Sequence, residues 1–360
     1  MMSQSANTLP RDGSASRPEP AGVGVIGGSG YIGSELLRYL SVHPRVRVRW
    51  VTANTKAGEA VADILPNLRG FVEGAFTDGE DAARRLGEVK AVFVALPHND
   101  SQRVIPALSG KAPEVVFIDM GGDFRTNDPD GYRRYYGAEH AARDWLPRFV
   151  YGFTEYGRER IARSKLIANP GCFATAINLS LAPLAAAGKL RGNVFVTGIT
   201  GSSGAGQKPV QTTHHPERAT NVRAYKPLAH QHLLEVEAFL RTLTPADFSI
   251  HFVPQSGPFV RGIFATVFTP ETGVAELEEI FRAAYGREAL VSVQRGTPDL
   301  RWVQGTVRSI IGVDGEAHRG AVLTVTDNLG KGAAGQAIQN MNLALGFTET
   351  DGLLLPGGFV

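Results

Sequence analysis

The chain contains a single cysteine, Cys172, in a sequence context that favours a reactive thiol. It follows the turn Pro170-Gly171, which comes after the apolar run 166–168, and a helical pattern begins at Phe173. A buried strand, a turn and a helix N-terminus place the thiol where open α/β sheets bind ligands. The helix dipole and free N–H groups favour a thiolate, so we expect the pKa of this thiol to fall. An inert, buried cysteine is the alternative interpretation.

A glycine-rich turn near the start of the chain has the spacing of a dinucleotide-binding motif. Gly28-x-Gly30-x-x-Gly33 follows the apolar run 23–26 and precedes a helical pattern over residues 34–40. Gly28 permits a tight turn, Gly30 lets a pyrophosphate approach bare backbone, and Gly33 allows close helix–strand packing. A purely structural turn is the alternative. We expect cofactor contacts from Gly28, Ser29, Gly30, Tyr31, Ile32 and Gly33.

The identity of the cofactor is indicated at the end of the second predicted strand. NAD sites usually place an acidic residue there for the ribose 2′-hydroxyl. In this chain the first acidic residue after that strand is Glu59, eight residues beyond Val51. Asn54, Thr55 and Lys56 are suited instead to a 2′-phosphate, which favours NADP(H). Pro97 ends a third apolar run, and we expect it to shape the nicotinamide pocket.

A nucleophilic cysteine beside a nicotinamide cofactor suggests one type of reaction. The thiolate attacks an activated acyl group, expels the leaving group and holds the acyl carbon as a thioester within reach of a hydride. Such a reaction needs a group that moves protons. His230 is the first choice and His232 the second, both at the start of a predicted amphipathic helix. Structural roles for both histidines are the alternative, and no HExxH motif or further cysteine favours a metal site.

Several polar segments are suited to binding a substrate anion. The segment 201–208, GSSGAGQK, resembles a P-loop but lacks its Gly-Lys-Ser/Thr ending. A flexible turn with exposed N–H groups and one cation still suits an acyl phosphate, and a plain Gly/Ser turn is the alternative. Arg125 follows the end of another predicted strand, so its guanidinium is suited to contacting a substrate anion. A surface ion pair is the alternative role for this arginine. We expect substrate contacts from Arg125, Asn169, Ser202, Ser203, Lys208, His232 and Arg261.

The elements that position these residues fall into two parts. Between residues 22 and 170, continuous Val/Ile/Phe runs alternate with helical segments, which predicts a doubly wound, Rossmann-type parallel sheet. Between residues 171 and 327, longer alternating strands predict an inserted α+β domain with a mixed or antiparallel sheet, including two strands joined by a turn at Asp314-Gly315. Residues 328–360 predict a helix that packs back on the first domain. Residues 1–21 are predicted to be a disordered tail.

The composition excludes several classes of protein. The 360 residues carry a formal net charge of +2, with 20% charged and 43% hydrophobic residues. This balance does not favour nucleic-acid binding through bulk positive charge. No apolar run reaches the roughly 18 residues that a membrane-spanning helix needs. The single cysteine fits a reducing compartment, so we expect a cytoplasmic protein with no nucleic-acid or membrane partner.

Together these motifs resemble N-acetyl-γ-glutamyl-phosphate reductases of arginine biosynthesis, which are relatives of aspartate-semialdehyde dehydrogenase. The resemblance runs from about residue 22 to the C-terminus and depends most on NPGC and GAAGQAIQN. It implies NADPH-dependent reduction of a small-molecule acyl phosphate to a semialdehyde, with Cys172 as nucleophile, His230 as acid/base and Asn328 near the nicotinamide. It also implies oligomer contacts in the inserted domain and a homo-oligomer, either tetramer or dimer.

Two departures bear on the substrate. The family often has Tyr-Pro after the cysteine, where this chain has Phe173-Ala174. The segment 214–227, HHPERATNVRAYKP, is similar to that of enzymes that reduce carrier-protein-bound aminoadipyl phosphate in lysine biosynthesis. That reaction is one alternative function, and a non-catalytic NADP-sensing protein is another.

Overall fold

The computed structural model describes residues 19–269 and 271–358, and the first of its two sheets is parallel throughout. The strand order is β2-β1-β3-β4-β6-β5, and the central strands are buried on both faces. The predicted Rossmann-type sheet is therefore confirmed. Its strands are β1 (Ala21–Ile26), β2 (Val46–Thr52), β3 (Ala91–Val94), β4 (Val116–Asp119), β5 (Val150–Tyr151) and β6 (Leu166–Ala168).

Helices follow most of these strands and cover the sheet. They are α1 (Tyr31–Leu40), α2 (Val61–Ile64), α3 (Gly79–Arg84), α4 (Ser101–Lys111), α5 (Pro129–Tyr136) and α6 (Thr154–Ala162). The amphipathic helix α1 buries Leu36, Leu37 and Leu40 against the sheet, because these residues recur at helical spacing on one face.

The second sheet is mixed and has seven strands in the order β11-β12-β13-β10-β7-β9-β8. Two neighbouring pairs, β7–β9 and β11–β12, are parallel, and the other pairs are antiparallel. The predicted mixed sheet is therefore confirmed. The strands are β7 (Gly192–Thr200), β8 (Arg223–Ala224), β9 (Phe248–Ser256), β10 (Ile263–Thr269), β11 (Val291–Arg295), β12 (Ser309–Gly315) and β13 (Gly320–Thr326).

Helices cover one face of the second sheet. Those of this part are α7 (Cys172–Ala186), α8 (His215–Arg218), α9 (His232–Leu240) and α10 (Val274–Tyr285). Apolar residues of α7, α9 and α10 form one core with the inward-facing residues of β7, β9, β10 and β13. On the opposite face, Phe195 and Phe268 are each 50% exposed, so that face is open in the single chain.

The chain then returns to the first sheet. A π-helical segment, Gly330–Ala334, leads into α11 (Gly335–Ala344), and Ala337, Ile338 and Met341 pack into the core of the first sheet. The sequence predicted a helix within residues 328–360 but not the π-helical turn at its start. Gly330 lies directly against the backbone of Thr306, so any side chain there would collide with that strand connection.

The structure differs from the sequence expectations in two places. The alternating pattern over residues 302–313 predicts one long strand, but β12 begins only at Ser309, so residues 302–308 are not part of it. The turn between β12 and β13 lies at residues 316–319, since Asp314 and Gly315 still pair with Ala321 and Gly320. Residues 1–18 of the predicted tail lie outside the described residues. No helix in the described part of the chain is long and apolar enough to cross a membrane.

A charged cluster joins the two parts of the chain. Arg261 precedes β10, and its guanidinium pairs with Glu35 of α1 at 2.7 Å and with Asp327 at 2.9 Å. Both carboxylates are buried, and Arg38 also contacts Glu35. Removing one partner from such a cluster leaves buried charge uncompensated, which is far more costly than losing an exposed ion pair.

We predict that Arg261→Met lowers the free energy of unfolding by about 3 kcal/mol, because Glu35 and Asp327 lose their shared partner. Urea unfolding followed by circular dichroism measures the change. The matched control is Arg282→Met, which removes an exposed i,i+4 pair with Glu278 and should cost about 0.5 kcal/mol. Equal losses in the two variants would contradict a stabilising role for the cluster.

Candidate active site

A cavity of about 770 Å³ opens at the carboxyl end of the first sheet. The segments that follow β1, β2, β3, β4 and β6 all line it, together with loops of the second part of the chain. Its size suits a cofactor and a small substrate. The predicted site residues in its wall are Ser29, Gly30, Tyr31, Ile32, Gly33, Asn54, Thr55, Pro97, Arg125, Asn169, Cys172, Ser202, Ser203, His230, His232 and Asn328. Gly28, Lys56, Lys208 and Arg261 are not in this wall.

The glycine turn after β1 leaves space for a ligand at one position. A Cβ atom on Gly28 would overlap Val51, and one on Gly33 would lie 2.5 Å from the Gly27 carbonyl oxygen, so packing requires both glycines. At Gly30 the nearest atom to such a Cβ is 3.9 Å away, and the residue faces the cavity. Gly30 also precedes α1, whose first N–H groups have no side-chain cap. These features fit a dinucleotide pyrophosphate.

The expected 2′-phosphate contacts are only partly available. Asn54 and Thr55, which follow β2, line the cavity. The Nζ atom of Lys56 instead lies 3.3 Å from the Glu59 carboxylate, outside the cavity wall. This ion pair is exposed and therefore weak, so a contact between Lys56 and the 2′-phosphate stays a prediction. Asn54 and Thr55 remain as the other predicted contacts to the 2′-phosphate.

Cys172 is the first residue of α7, and its side chain is half-buried in the wall of the cavity. Gly332 of the π-helical segment packs on it closely, since a Cβ there would lie 3.1 Å from the cysteine Cβ. Burial raises the pKa of the thiol to about 11, against the opposing effects of the Phe173 N–H and the charge of Arg125. The expectation of a lowered pKa was wrong, because desolvation outweighs the helix N-terminus.

A buried ion pair holds the turn that precedes Cys172. Glu235 of α9 accepts a hydrogen bond from the Gly171 N–H at 3.0 Å and pairs with Arg125 at 3.1 Å. The Nε–H of Arg125 in turn donates to the Asn169 carbonyl at 2.8 Å. Both charged side chains are nearly fully buried, so each depends on the other. The turn and α9 are thereby fixed relative to one another.

This ion pair adds a structural role to the one expected for Arg125. Its guanidinium also donates to the Met120 carbonyl at 3.1 Å, so all three of its nitrogens already have partners inside the protein. Asn169 is likewise engaged, with its amide donating to the Ala333 carbonyl and accepting from Asn340. Both residues line the cavity, so these hydrogen bonds shape its wall, and the expected contacts of the two residues to substrate stay predictions.

The two histidines lie together in the cavity wall, with ring centroids 4.7 Å apart. Nδ1 of His230 accepts the backbone N–H of His232 at 3.2 Å, which leaves Nε2 of His230 available to a ligand. The ring of His232 lies against Gly171, where a side chain would overlap its Nε2. Burial and the charge of Lys226 lower the pKa of His230 to about 4, and burial also lowers that of His232, so both rings are neutral at pH 7.

The Gly/Ser loop after β7 is held rigidly. The N–H groups of Ser202 and Ser203 donate to the carbonyls of Phe259 and Val260, and Asn328 bonds both Ser203 and the Gly262 N–H. The expectation of a flexible turn with free N–H groups is therefore corrected, because residues 259–262 accept those hydrogen bonds. Lys208 lies beyond the cavity wall, so it adds no cation there.

Two cationic residues in the wall, Arg218 and Arg223, were missed from the sequence. They belong to the segment 214–227, which drew attention in the sequence for its similarity to enzymes that reduce carrier-bound aminoadipyl phosphate. The signal was present as two arginines five positions apart beside Tyr225. These arginines could not be assigned to the cavity from the sequence, because α8 and β8 are too short to show a periodic pattern.

Comparison with known proteins identifies the two parts of the chain. Residues 22–164 match the family model "Semialdehyde dehydrogenase, NAD binding domain", and residues 172–328 match "Semialdehyde dehydrogenase, dimerisation domain". A solved aspartate semialdehyde dehydrogenase II from Vibrio cholerae superposes with a TM-score of 0.69 at 17% identity, over 91% of this chain and 98% of that one. This likeness shows a shared fold.

Curated relatives are more similar in sequence. The N-acetyl-gamma-glutamyl-phosphate reductase of Methanopyrus kandleri is 41% identical over 93% of this chain and 98% of its own length. The enzyme of the same name from Halorhodospira halophila is 38% identical over 92% of this chain and 97% of its length. A [LysW]-L-2-aminoadipate/[LysW]-L-glutamate phosphate reductase of Saccharolobus solfataricus is also 38% identical, over 92% and 97%.

The raised pKa of Cys172 predicts an unusual pH dependence for its alkylation. At pH 7 the thiol lies four pH units below a pKa of about 11, so about one molecule in ten thousand carries the thiolate. We predict that the rate of iodoacetamide alkylation in the ligand-free protein rises about tenfold per pH unit between pH 7 and 9. Mass spectrometry of the cysteine peptide measures it, with Cys172→Ala as the unlabelled control. A plateau below pH 8 would contradict the prediction.

Proposed function

The chain belongs to the semialdehyde dehydrogenase family, and we propose that it reduces N-acetyl-γ-glutamyl phosphate to N-acetylglutamate semialdehyde with NADPH, releasing phosphate. The observation that carries the proposal is the position of Cys172, the single thiol of the chain, in the same cavity as the glycine turn. The names of the M. kandleri and H. halophila relatives support this substrate. A thiol nucleophile must stay reduced, which supports a cytoplasmic location.

The cofactor site is proposed from the residues that face the cavity. Residues 29–33 would hold the pyrophosphate of NADP(H), Asn54 and Thr55 the 2′-phosphate, and Pro97 and Asn328 would border the nicotinamide. When bound, NADPH supplies the hydride that reduces an acyl group. The rigid packing around Gly28 and Gly33 keeps the turn in the shape that this binding needs.

Cys172 is the proposed nucleophile. Its sulfur attacks the acyl carbon, a C–S bond forms, and the carbon–oxygen bond to phosphate breaks. The resting thiol is protonated, so its proton leaves as the sulfur attacks and departs with the phosphate. The ion pair between Glu235 and Arg125 keeps the sulfur at the N-terminus of α7 during this step, because both side chains hydrogen-bond to the preceding turn.

His230 is the proposed acid/base residue. Because its Nδ1 accepts a backbone N–H, the neutral ring carries its proton on Nε2. That N–H is suited to donating a hydrogen bond to the acyl oxygen as negative charge develops there. Once a hydride has reduced the acyl carbon, the carbon–sulfur bond breaks, the semialdehyde leaves and the sulfur regains a proton. His232, with its Nδ1 buried and without a partner in the described part of the chain, is the second proton-transfer group beside Gly171.

A second candidate substrate is a carrier-protein-bound aminoadipyl phosphate. The S. solfataricus relative, whose name includes such a substrate, is as similar to this chain as several of the acetylglutamyl-phosphate reductases. The reaction at Cys172 would be the same, because both substrates present an acyl phosphate. The two substrates differ in the group that must fit at the entrance of the cavity, which is a free acetyl group in one and a whole carrier protein in the other.

We further propose that two copies of the chain associate through the open face of the second sheet. Phe195 of β7 and Phe268 of β10 are adjacent in register on that face and each half exposed. The matched family model for this part of the chain is a dimerisation domain, which supports a second copy as the partner. Burying such aromatic side chains is the main favourable term in homo-oligomer interfaces.

We predict that Cys172→Ser lowers turnover of the preferred acyl phosphate by about a thousandfold or more, because a hydroxyl of high pKa is a poor nucleophile. Binding of NADPH, followed by its fluorescence, should stay near wild type, since the glycine turn is untouched. Full activity of this variant would contradict the covalent mechanism.

The reverse reaction separates the two candidate substrates. With NADP and phosphate, we expect the protein to oxidise N-acetylglutamate semialdehyde with a kcat/KM at least about a hundredfold above that for the carrier-bound aminoadipate semialdehyde. The formation of NADPH at 340 nm is measured for both. The opposite ratio would move the assignment to the second candidate, and no turnover of either would refute both.

The proposed interface predicts an effect of one charge substitution. Phe195→Asp should shift the light-scattering mass towards that of the monomer, because an aspartate would be buried without a partner in the interface. Phe71→Asp is the matched control, since Phe71 is an exposed phenylalanine outside the second sheet. An unchanged mass in the Phe195 variant would refute the proposed interface.

A further inference from the structure

Two arginines in the cavity wall have no acidic partner within the described ranges. Arg218 ends α8, and Arg223 belongs to the short strand β8. The third arginine of the wall, Arg125, is neutralised by Glu235, and Arg261 is held outside the wall by Glu35 and Asp327. The cavity therefore carries positive charge at one place, on the segment that follows the Gly/Ser loop.

The side chain of Arg218 is held in place but only partly satisfied. It donates to the Ser256 hydroxyl and, from Nη2 at 3.3 Å, to the Thr200 carbonyl, at the ends of β9 and β7. Its Nε atom is buried and has no hydrogen-bond partner in the described part of the chain. A buried N–H donor without a partner is unfavourable unless a ligand supplies the acceptor.

The charge on Arg218 is also uncompensated. Burial lowers the pKa of its guanidinium, and the nearby charge of Arg223 acts in the same direction. An anion bound between the two would relieve both effects. A planar guanidinium is well suited to this task, because its parallel N–H groups match the oxygens of phosphate and carboxylate groups.

The arginine pair lies near the reacting centre. Tyr225, two residues after Arg223, lines the cavity, and its hydroxyl is near enough to both Arg218 and Cys172 for their charged forms to shift its pKa. The ring of Tyr225 is also 5.8 Å from that of His230. A substrate held by the arginines would therefore lie beside the thiol and the proposed acid/base residue.

We infer that Arg218 and Arg223 form the anion subsite of this cavity and bind an oxyanion of the substrate. The inference rests on the proposed function and adds cations that have no acidic partner among the described residues, unlike Arg125 and Arg261, which pair with buried carboxylates. An acyl phosphate offers such an oxyanion in its phosphoryl group, and the acetylglutamyl group offers a second one in its carboxylate. Both present paired oxygens to a guanidinium.

The first test needs no turnover. Iodoacetate is an anion and iodoacetamide is neutral, so the ratio of their alkylation rates at Cys172 reports positive charge beside the sulfur. We expect Arg218→Gln and Arg223→Gln each to lower this ratio about fivefold, and inorganic phosphate to slow iodoacetate in the wild type. Arg218→Lys should keep most of the ratio. The control is Arg319→Gln, an exposed arginine of the turn between β12 and β13. An unchanged ratio in both glutamine variants would overturn the inference.

The second test identifies the oxyanion. In the reverse reaction, Arg218→Gln should raise the KM for phosphate about tenfold if the subsite takes the phosphoryl group. It should raise the KM for the semialdehyde instead if the subsite takes the carboxylate. Either result supports the inference, and a variant in which neither KM moves would contradict it. If the wild type turns over no acyl phosphate, the proposed function fails, while the alkylation ratio still tests the subsite.

Discussion

The buried ion pair between Glu235 and Arg125 is the interaction on which the geometry of the cavity depends. It joins α9, which begins at His232 two residues after His230, to the turn that presents Cys172 at the start of α7. Neither charge has access to bulk water, so the pair persists only while both partners are in place. The relative position of thiol and imidazole therefore follows from this pair and from the close packing of Gly171 and Gly332.

Burial gives the reactive groups their resting charge states. The same desolvation that raises the pKa of the Cys172 thiol lowers those of the two imidazoles, so the cavity holds neutral reactive groups beside two arginines that have no acidic partner among the described residues. Such a cavity attracts an anionic substrate and leaves proton removal to the step in which sulfur attacks carbon.

The sequence was sufficient for features that depend on neighbouring residues, and insufficient for those that depend on distant ones. The glycine turn and the strand–turn–helix around Cys172 are local patterns, and the structure shows both where they were expected. Arg125 and Arg261 were assigned to substrate because their partners are far along the chain. Glu235 is 110 residues from Arg125, and Glu35 is 226 residues from Arg261. The prediction of a lowered pKa for Cys172 was wrong for the same reason, because distant parts of the chain bury the thiol and outweigh the effect of the helix N-terminus.

In the proposed mechanism the acyl group is transferred to the sulfur of Cys172 before any reduction takes place. The most direct measurement mixes the protein with acyl phosphate in the absence of NADPH and follows phosphate release and the mass of the cysteine peptide. We expect a rapid release of about one phosphate per active site, together with an acyl adduct on that peptide. Phosphate that appears only when NADPH is present, with the peptide unmodified, would contradict the thioester mechanism.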